Sequence, residues 1–201
     1  MQLYNAVIVC KRDENLIPWH VEHVDALGIP MQRCFYYGME LDGWRPAAQS
    51  NVHVVPFWDV YENLPLKTYG AVKHALTIPG WTHLLKSDVN SYPSFIDLAK
   101  LETHNMLGYR SIIRAGDSHH STKVFEPGMA EPYKRHMPTV WCGGCAYVIS
   151  RLLAMKIAER GAWYARGWAY EDVMVSQIAT EEGWVPETGV GYWTEGKDWR
   201  N

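Results

Sequence analysis

Between Asn63 and Asn90 the chain reads as a capped helix, a Pro-Gly stop and a short apolar strand ending on an acidic tripeptide. Few folds accept that order. Leu66, Tyr69, Val72 and Leu76 recur at helical spacing, Asn63 stands at the cap position with Pro65 near the first helical residue, and Pro79-Gly80 closes the segment. His83–Ser87 follows as a strand and runs into Asp88-Val89-Asn90. A helix folded back between buried strands is the repeating unit of a parallel sheet covered on both faces.

The rest of the chain repeats this alternation. Ala6–Cys10 is a continuous apolar run, hence a buried strand. A helix follows, with Asp13 as its N-cap candidate and with Leu16, Ile17, Val21, Val24 and Leu27 on one face, and Gly28 ends it. Arg33–Tyr37, Val52–Val55, Ser111–Arg114 and Cys145–Ile149 read as further strands. A short helix is expected near Ser94–Glu102. A longer one opens at the cap Ser150 and runs through Arg160 to a stop at Gly161, and another opens at Glu171-Asp172 and stops before Gly183. Gly116–Pro138 is polar and without period, and a loop of that length inside a domain usually carries function. The expectation is one α/β domain over residues 1–201, with a mainly parallel central sheet flanked by helices.

Composition narrows the function classes. A net charge of −3 gives no bulk electrostatic reason to bind a polyanion or an anionic membrane surface. No apolar run approaches the ~20 residues that span a bilayer, and the N-terminus lacks the basic start and cleavage site of a signal peptide. Four cysteines at irregular spacing do not make a disulfide scaffold, so a reduced, cytoplasmic setting is expected. Ten tryptophans and twelve tyrosines can stack on sugars or bases, or fill a core whose edge supplies their polar partners.

An acidic residue just past a buried strand lies where open α/β sheets bind ligands. Asp88 and Asn90 offer oxygens two residues apart, a half-site for a hard divalent cation that carries phosphates. Asp and Asn are also favoured in strand-ending turns for their local hydrogen bonds. Glu171-Asp172 supplies a carboxylate for proton abstraction, or simply the acidic first turn that a helix favours. Gly143-Gly144 lets the backbone approach a ligand closely, or makes a tight turn before the next strand. Cys142 and Cys145 form a C-x-x-C, but the residues after it read as a strand and no second half-site accompanies it, which argues against redox or zinc chemistry. His119-His120 lies in the long loop, facing phosphate, acceptor or solvent.

Three blocks carry a resemblance. Tyr61-Glu62-Asn63-Leu64-Pro65-Leu66-Lys67-Thr68, a helix and Lys86-Ser87-Asp88-Val89-Asn90 are similar to the corresponding stretch of the β-1,3-galactosyltransferase and Fringe group of glycosyltransferases. Pro138 to Arg151 resembles that group's Pro-x-x-x-x-Gly-Gly-x-x-Tyr-Val-Leu-Ser-Arg, and Glu171-Asp172-Val173 its Glu-Asp-Val. The first 37 residues, with Lys11-Arg12-Asp13-Glu14, Trp19, His23 and Leu27-Gly28, look more like another group of the same GT-A fold.

The resemblance implies a GT-A-type fold and inverting transfer of a sugar from a nucleotide diphosphate donor, a UDP-sugar, to a hydroxyl of a glycan. Asp172 takes the role of base, with Glu171 positioning it or the acceptor. Lys11, Arg12, Asp13, Lys86, Asp88, Asn90, Trp141, Gly143 and Gly144 fall to the donor site, and Asp88 and Asn90 to a divalent metal, Mn²⁺. The chain departs from the pattern in two places: Asn90 stands where a carboxylate is usual, and no His follows the Glu-Asp block, so Glu195 or Asp198 would have to serve as a further ligand. Without a metal, Lys11, Arg12 or Lys86 would neutralise the phosphates. The resembled eukaryotic enzymes carry a membrane anchor that this sequence lacks, which suggests a microbial or viral enzyme or a segment of a larger protein. Two other functions stay open. One is a catalytically silent sugar-nucleotide or glycan-binding module. The other is transfer to a modified base in DNA, for which Lys123, Lys134 and Arg135 would line the acceptor groove.

Overall fold

The structure, a computed structural model, describes residues 1–40, 42–47, 50–59, 63–112, 140–165, 170–194 and 197–199. Along these the chain forms β1 (Leu3–Ile8), a 3-10 turn (Lys11–Leu16), α1 (Ile17–Asp25), β2 (Met31–Met39), β3 (Val52–Trp58), α2 (Leu64–Thr77), β4 (His83–Asp88) and β5 (Ser91–Ile96). It continues through α3 (Leu98–Leu101), β6 (Met106–Ile112), β7 (Val140–Ser150), α4 (Arg151–Ala165), α5 (Glu171–Glu181), β8 (Glu187–Thr188), β9 (Val190–Thr194) and β10 (Lys197–Trp199).

Seven strands make the central sheet in the order β3-β2-β1-β4-β7-β6-β8, and β10-β9-β5 make a smaller one. β1 runs parallel to both β2 and β4, β2 to β3 and β6 to β8. In this sheet β7 alone opposes its neighbours, β4 and β6. The expected α/β class with a mainly parallel, helix-flanked sheet is what the chain adopts. β1 explains why: all six of its residues are buried, as in a strand covered on both faces. Tyr4, Ala6 and Ile8 enter the larger core with α2, α4 and α5, while Val7 joins Phe35, Tyr37 and Val89 on the face that α1 covers.

Several boundaries differ from the sequence reading. β1 starts at Leu3 rather than Ala6, and Asp13 sits in the 3-10 turn, so α1 begins only at Ile17. Asn63 is at the cap of α2, but its side chain donates to the Trp58 carbonyl instead of capping. β3 continues to Trp58 through Pro56, which an edge strand tolerates because no neighbour needs its N–H. The helix expected near Ser94–Glu102 is β5 followed by the four residues of α3, whose cap Asp97 accepts from the Lys100 N–H. β6 starts at Met106, five residues before the expected Ser111, and includes Ser111 and Ile112; residues 113 and 114 of the expected strand lie outside the described residues. Ser150 does cap α4, accepting from the Leu153 N–H at 3.1 Å. Gly161, however, lies inside α4, where a Cβ would come within 2.8 Å of the Tyr69 ring on α2. It is there for close helix packing and does not end the helix.

A partly buried histidine pair beside Tyr36 of the larger core predicts a pH dependence. His53 on β3 stacks on His74 on α2, with centroids 3.7 Å apart, and His74 Nδ1 bonds the Tyr36 hydroxyl at 3.0 Å. Burial lowers both imidazole pKa values, and His53 lowers that of His74 further. A depressed folded pKa means that the unfolded chain binds protons more readily below the ordinary value of about 6.5. The pair's contribution is therefore complete above that value and is lost as pH falls below it through the lowered folded pKa values. Urea unfolding of the wild type should lose stability on acidification faster than that of H53Q/H74Q. Parallel pH profiles would remove the pair as the cause.

Candidate functional site

The order in which successive strands are added reverses between the parallel neighbours β1 and β4: β2 and β3 follow β1 outward on one side, and β4 lies on the other. Ile8 and Asp88 are paired in register, so the carboxyl ends of both strands reach the same edge. A cavity of about 370 Å³ opens there, as expected at such a switch point. Lys11, Arg12, Asp13, Asp88 and Asn90 line it, which brings together five of the residues singled out from the sequence.

Glu40, Asp59 and Lys67 also line the cavity and were not singled out. Lys67 is buried and donates to Asp59 Oδ1 and to the Val9 carbonyl, both at 2.6 Å. Gly38 makes room for this pair, since a Cβ there would lie 2.8 Å from the Asp59 Cα. Burial, with the Asp59 charge behind it, raises the pKa of Glu40. At the rim, Lys11 bonds Asp42 at 2.7 Å and lies over the Trp44 ring. The signal for Lys67 was a lysine one helical turn from Ala71, on the buried face of α2.

Directly behind Asp88 lies a second, fully buried cluster. Lys86, only 1% exposed, donates to Asp88 Oδ1 at 2.8 Å and to the Gly144 carbonyl and Glu171 Oε1, both at 2.5 Å. Tyr147, the register partner of Lys86 across β4 and β7, donates its hydroxyl to Glu171 Oε2 at 2.7 Å. Burial alone would lower the Lys86 pKa, but Asp88 and Glu171 reverse this and raise it. Burial lifts that of Glu171 against the pull of Lys86. Both Glu171 oxygens are therefore engaged. Asp172, next on α5, is half-buried; its Oδ1 accepts from the Val173 N–H at 2.9 Å, and burial raises its pKa.

Gly143 and Gly144 are part of β7 and not a turn before it. A Cβ on Gly144 would stand 3.0 Å from Glu171 Oε1 and 3.4 Å from Asp172 Oδ2, and one on Gly143 would stand 3.3 Å from the Tyr192 hydroxyl. Two carboxylates and a lysine can thus converge on bare backbone. Trp141 stands apart from the cavity and packs on the larger core. Cys142 and Cys145 are free thiols facing different cores, and burial raises both pKa values, that of Cys145 to about 12. Neither a metal half-site nor a reactive dithiol results.

His20 is a further buried group, and burial lowers its pKa to about 4. For a divalent cation, Asp88 Oδ1 is taken by Lys86, which leaves its second oxygen and the Asn90 amide oxygen. No cluster of three or more His, Cys, Asp or Glu side chains suited to a metal occurs among the described residues. Two oxygens still fit Mg²⁺ or Mn²⁺, which are held by one or two protein ligands when phosphates and water complete the shell. Gly116–Pro138, with His119, His120, Lys123, Lys134 and Arg135, lies outside the described residues, as does Glu195. Asp198 falls in β10. No helix among the described residues is long and apolar enough to cross a membrane. Neither a scan against models of known protein families nor a search of curated proteins finds a match.

Removing Lys86 would strand the Glu171 carboxylate in the core. Lys86→Met should destabilise the fold by about 3–5 kcal/mol in urea denaturation, and K86M/E171Q should recover much of that loss. Equal stability of the two variants would mean that Glu171 does not need its counter-ion.

Proposed function

We propose that the chain is an inverting glycosyltransferase of GT-A type that moves a sugar from a nucleotide diphosphate donor, a UDP-sugar, to a hydroxyl of a glycan acceptor. One observation carries the reading. Lys86 joins Asp88, on the cavity at the sheet's switch point, to Glu171, whose neighbour Asp172 lies against the bare backbone of Gly144. Donor phosphates and a base are thereby supported from one buried cation. The cavity volume falls within the ordinary range for small-ligand sites, about 300–1,000 Å³.

In this reading Lys11 and Arg12 approach the diphosphate from the cavity wall. The free oxygen of Asp88 and the Asn90 amide would hold a divalent metal. When bound, that ion stabilises the charge of the departing diphosphate. Asp172 accepts the proton of the acceptor hydroxyl as it attacks the anomeric carbon, and burial, which raises its pKa, makes it a stronger base than an exposed carboxylate. Glu171, buried between Lys86 and Tyr147, takes no proton in this scheme, because it is shut off from an acceptor hydroxyl. It sets the start of α5 and so the place of Asp172.

Asn90, a neutral ligand, keeps a silent nucleotide-sugar binding module as the second reading. Calorimetric titration with UDP, with and without Mn²⁺, separates the possibilities. Metal-dependent binding is the expected result; no binding of UDP or of other nucleotides rejects the donor site. Asp88→Ala should weaken UDP binding about tenfold or more, about 1.4 kcal/mol. With a donor identified by screening, Asp172→Asn should abolish transfer and leave donor affinity nearly unchanged. Normal transfer by that variant would remove Asp172 as the base.

A further inference from the structure

Asn5, His20 and Ser87 are fully buried and polar, and they meet on the sheet face that α1 covers, immediately before Asp88-Val89-Asn90. Ser87 Oγ lies 3.1 Å from Asn5 Oδ1 and 3.3 Å from His20 Nε2. Asn5 Nδ2 and His20 Nδ1 make no full hydrogen bond. The Ser91 main chain nevertheless lies close enough to the ring to act on it as an acceptor.

Amide orientation and imidazole tautomer are set by the network as a whole. With the Asn5 amide turned over, Nδ2 donates to Ser87 Oγ and the Ser87 hydroxyl donates to His20 Nε2. His20 Nδ1–H is then directed at the Ser91 carbonyl. Both orphaned nitrogens, which must donate, gain an acceptor by this assignment, and the Asn5 amide oxygen takes the place that Nδ2 leaves. The ring then spans from residue 87, before the acidic tripeptide, to residue 91, after it. Other bonds fix the same turn: the Val89 N–H donates to the Ile8 carbonyl at 3.0 Å, and Ser91 Oγ lies 3.3 Å from the Asp88 carbonyl and 2.9 Å from that of Cys145.

Buried polar groups cost free energy unless every one is paired, and apolar side chains between a helix and a sheet avoid that cost. Three polar side chains placed behind this one turn therefore have a local task. We propose that His20 is a positioning residue that staples Ser87 to Ser91 and so holds Asp88 and Asn90 in the geometry the donor diphosphate needs. This rests on the donor-site reading above.

His20→Phe keeps the ring and removes both nitrogens, Ser87→Ala removes only the hydroxyl, and His20→Asn retains a donor in place of Nδ1. Hydrogen exchange is measured first, on the protein without nucleotide. In His20→Phe and Ser87→Ala the amides of Val89, Asn90 and Ser91 should exchange about tenfold faster or more while those of α4 and α5 keep their protection. If His20→Phe loses protection throughout, Ser87→Ala decides. Unchanged exchange at residues 89–91 overturns the staple whatever the ligand does. UDP titration with Mn²⁺ comes second: the dissociation constant should rise about tenfold in both variants, and His20→Asn should recover part of the loss. Faster exchange with unchanged affinity overturns the role in donor binding. Wild-type protein that binds no nucleotide also removes that role, and the exchange result still decides the staple.

Discussion

Lys86 carries an ammonium into the middle of the central sheet, where Asp88, Glu171 and the Gly144 carbonyl surround it at hydrogen-bond distance. Three segments far apart in sequence meet on that nitrogen: the end of β4, the middle of β7 and the first turn of α5. Such a cluster is a poor source of stability alone. Desolvating buried charges costs several kcal/mol per ion, and well-packed apolar residues of similar volume often do as well or better. What an apolar replacement cannot supply is direction. Lys86 has three N–H bonds and three acceptors, and the Tyr147 hydroxyl occupies the remaining oxygen of Glu171. Satisfying these donors sets the geometry of both acidic segments.

Topology decides which acids are brought together. Because β1 has β2 on one side and β4 on the other, the loops after β1 and β4 diverge and leave the cavity between them. β7 runs against β4, which sets Gly144 near the level of Asp88. From there the chain turns through α4 and returns in α5, whose start faces the same backbone. A glycine at 144 gives the Glu171 carboxylate its room, since a Cβ would stand only 3.0 Å from Oε1 and would touch Asp172 at 3.4 Å.

The parts of this arrangement that were legible in the sequence share one property: their signal is local. Apolar runs marked β1 and β4, spacing with a Pro-Gly stop marked α2, the Ser150 cap marked the start of α4, and an acidic first turn and Gly183 marked α5. The acidic residues at the end of β4 and the start of α5 announced themselves by position. What was missed depends on distant partners. β5 contains Pro93 and lies at the edge of a sheet formed with β9 and β10, so its strand character comes from pairing about a hundred residues away. Gly161 resembled a helix stop because nothing nearby in sequence reveals the Tyr69 ring it packs against. Asp59 and Lys67 are only eight residues apart, yet neither carries a local sign of their ion pair, which is completed where the Val9 carbonyl, just past β1, accepts another Lys67 N–H. Tyr192 joins the site only through the second sheet. Local periodicity finds elements and their ends, whereas convergence of side chains is a property of topology.

Glu171 and Asp172 show how adjacent carboxylates acquire different chemistry. Successive residues on a helix project about 100° apart, so when Glu171 points inward to Lys86, Asp172 must turn toward the side where Gly144 leaves space. The positive end of the α5 dipole favours ionisation of both, and burial opposes it in both. Their partners then separate them. Glu171 meets a cation and a phenol that engage both oxygens, and burial keeps it from a substrate hydroxyl. Asp172 meets one backbone N–H at Oδ1 and keeps Oδ2 beside bare glycine backbone. The less engaged of the two acids is the one that can exchange a proton, and the more engaged one holds it in place.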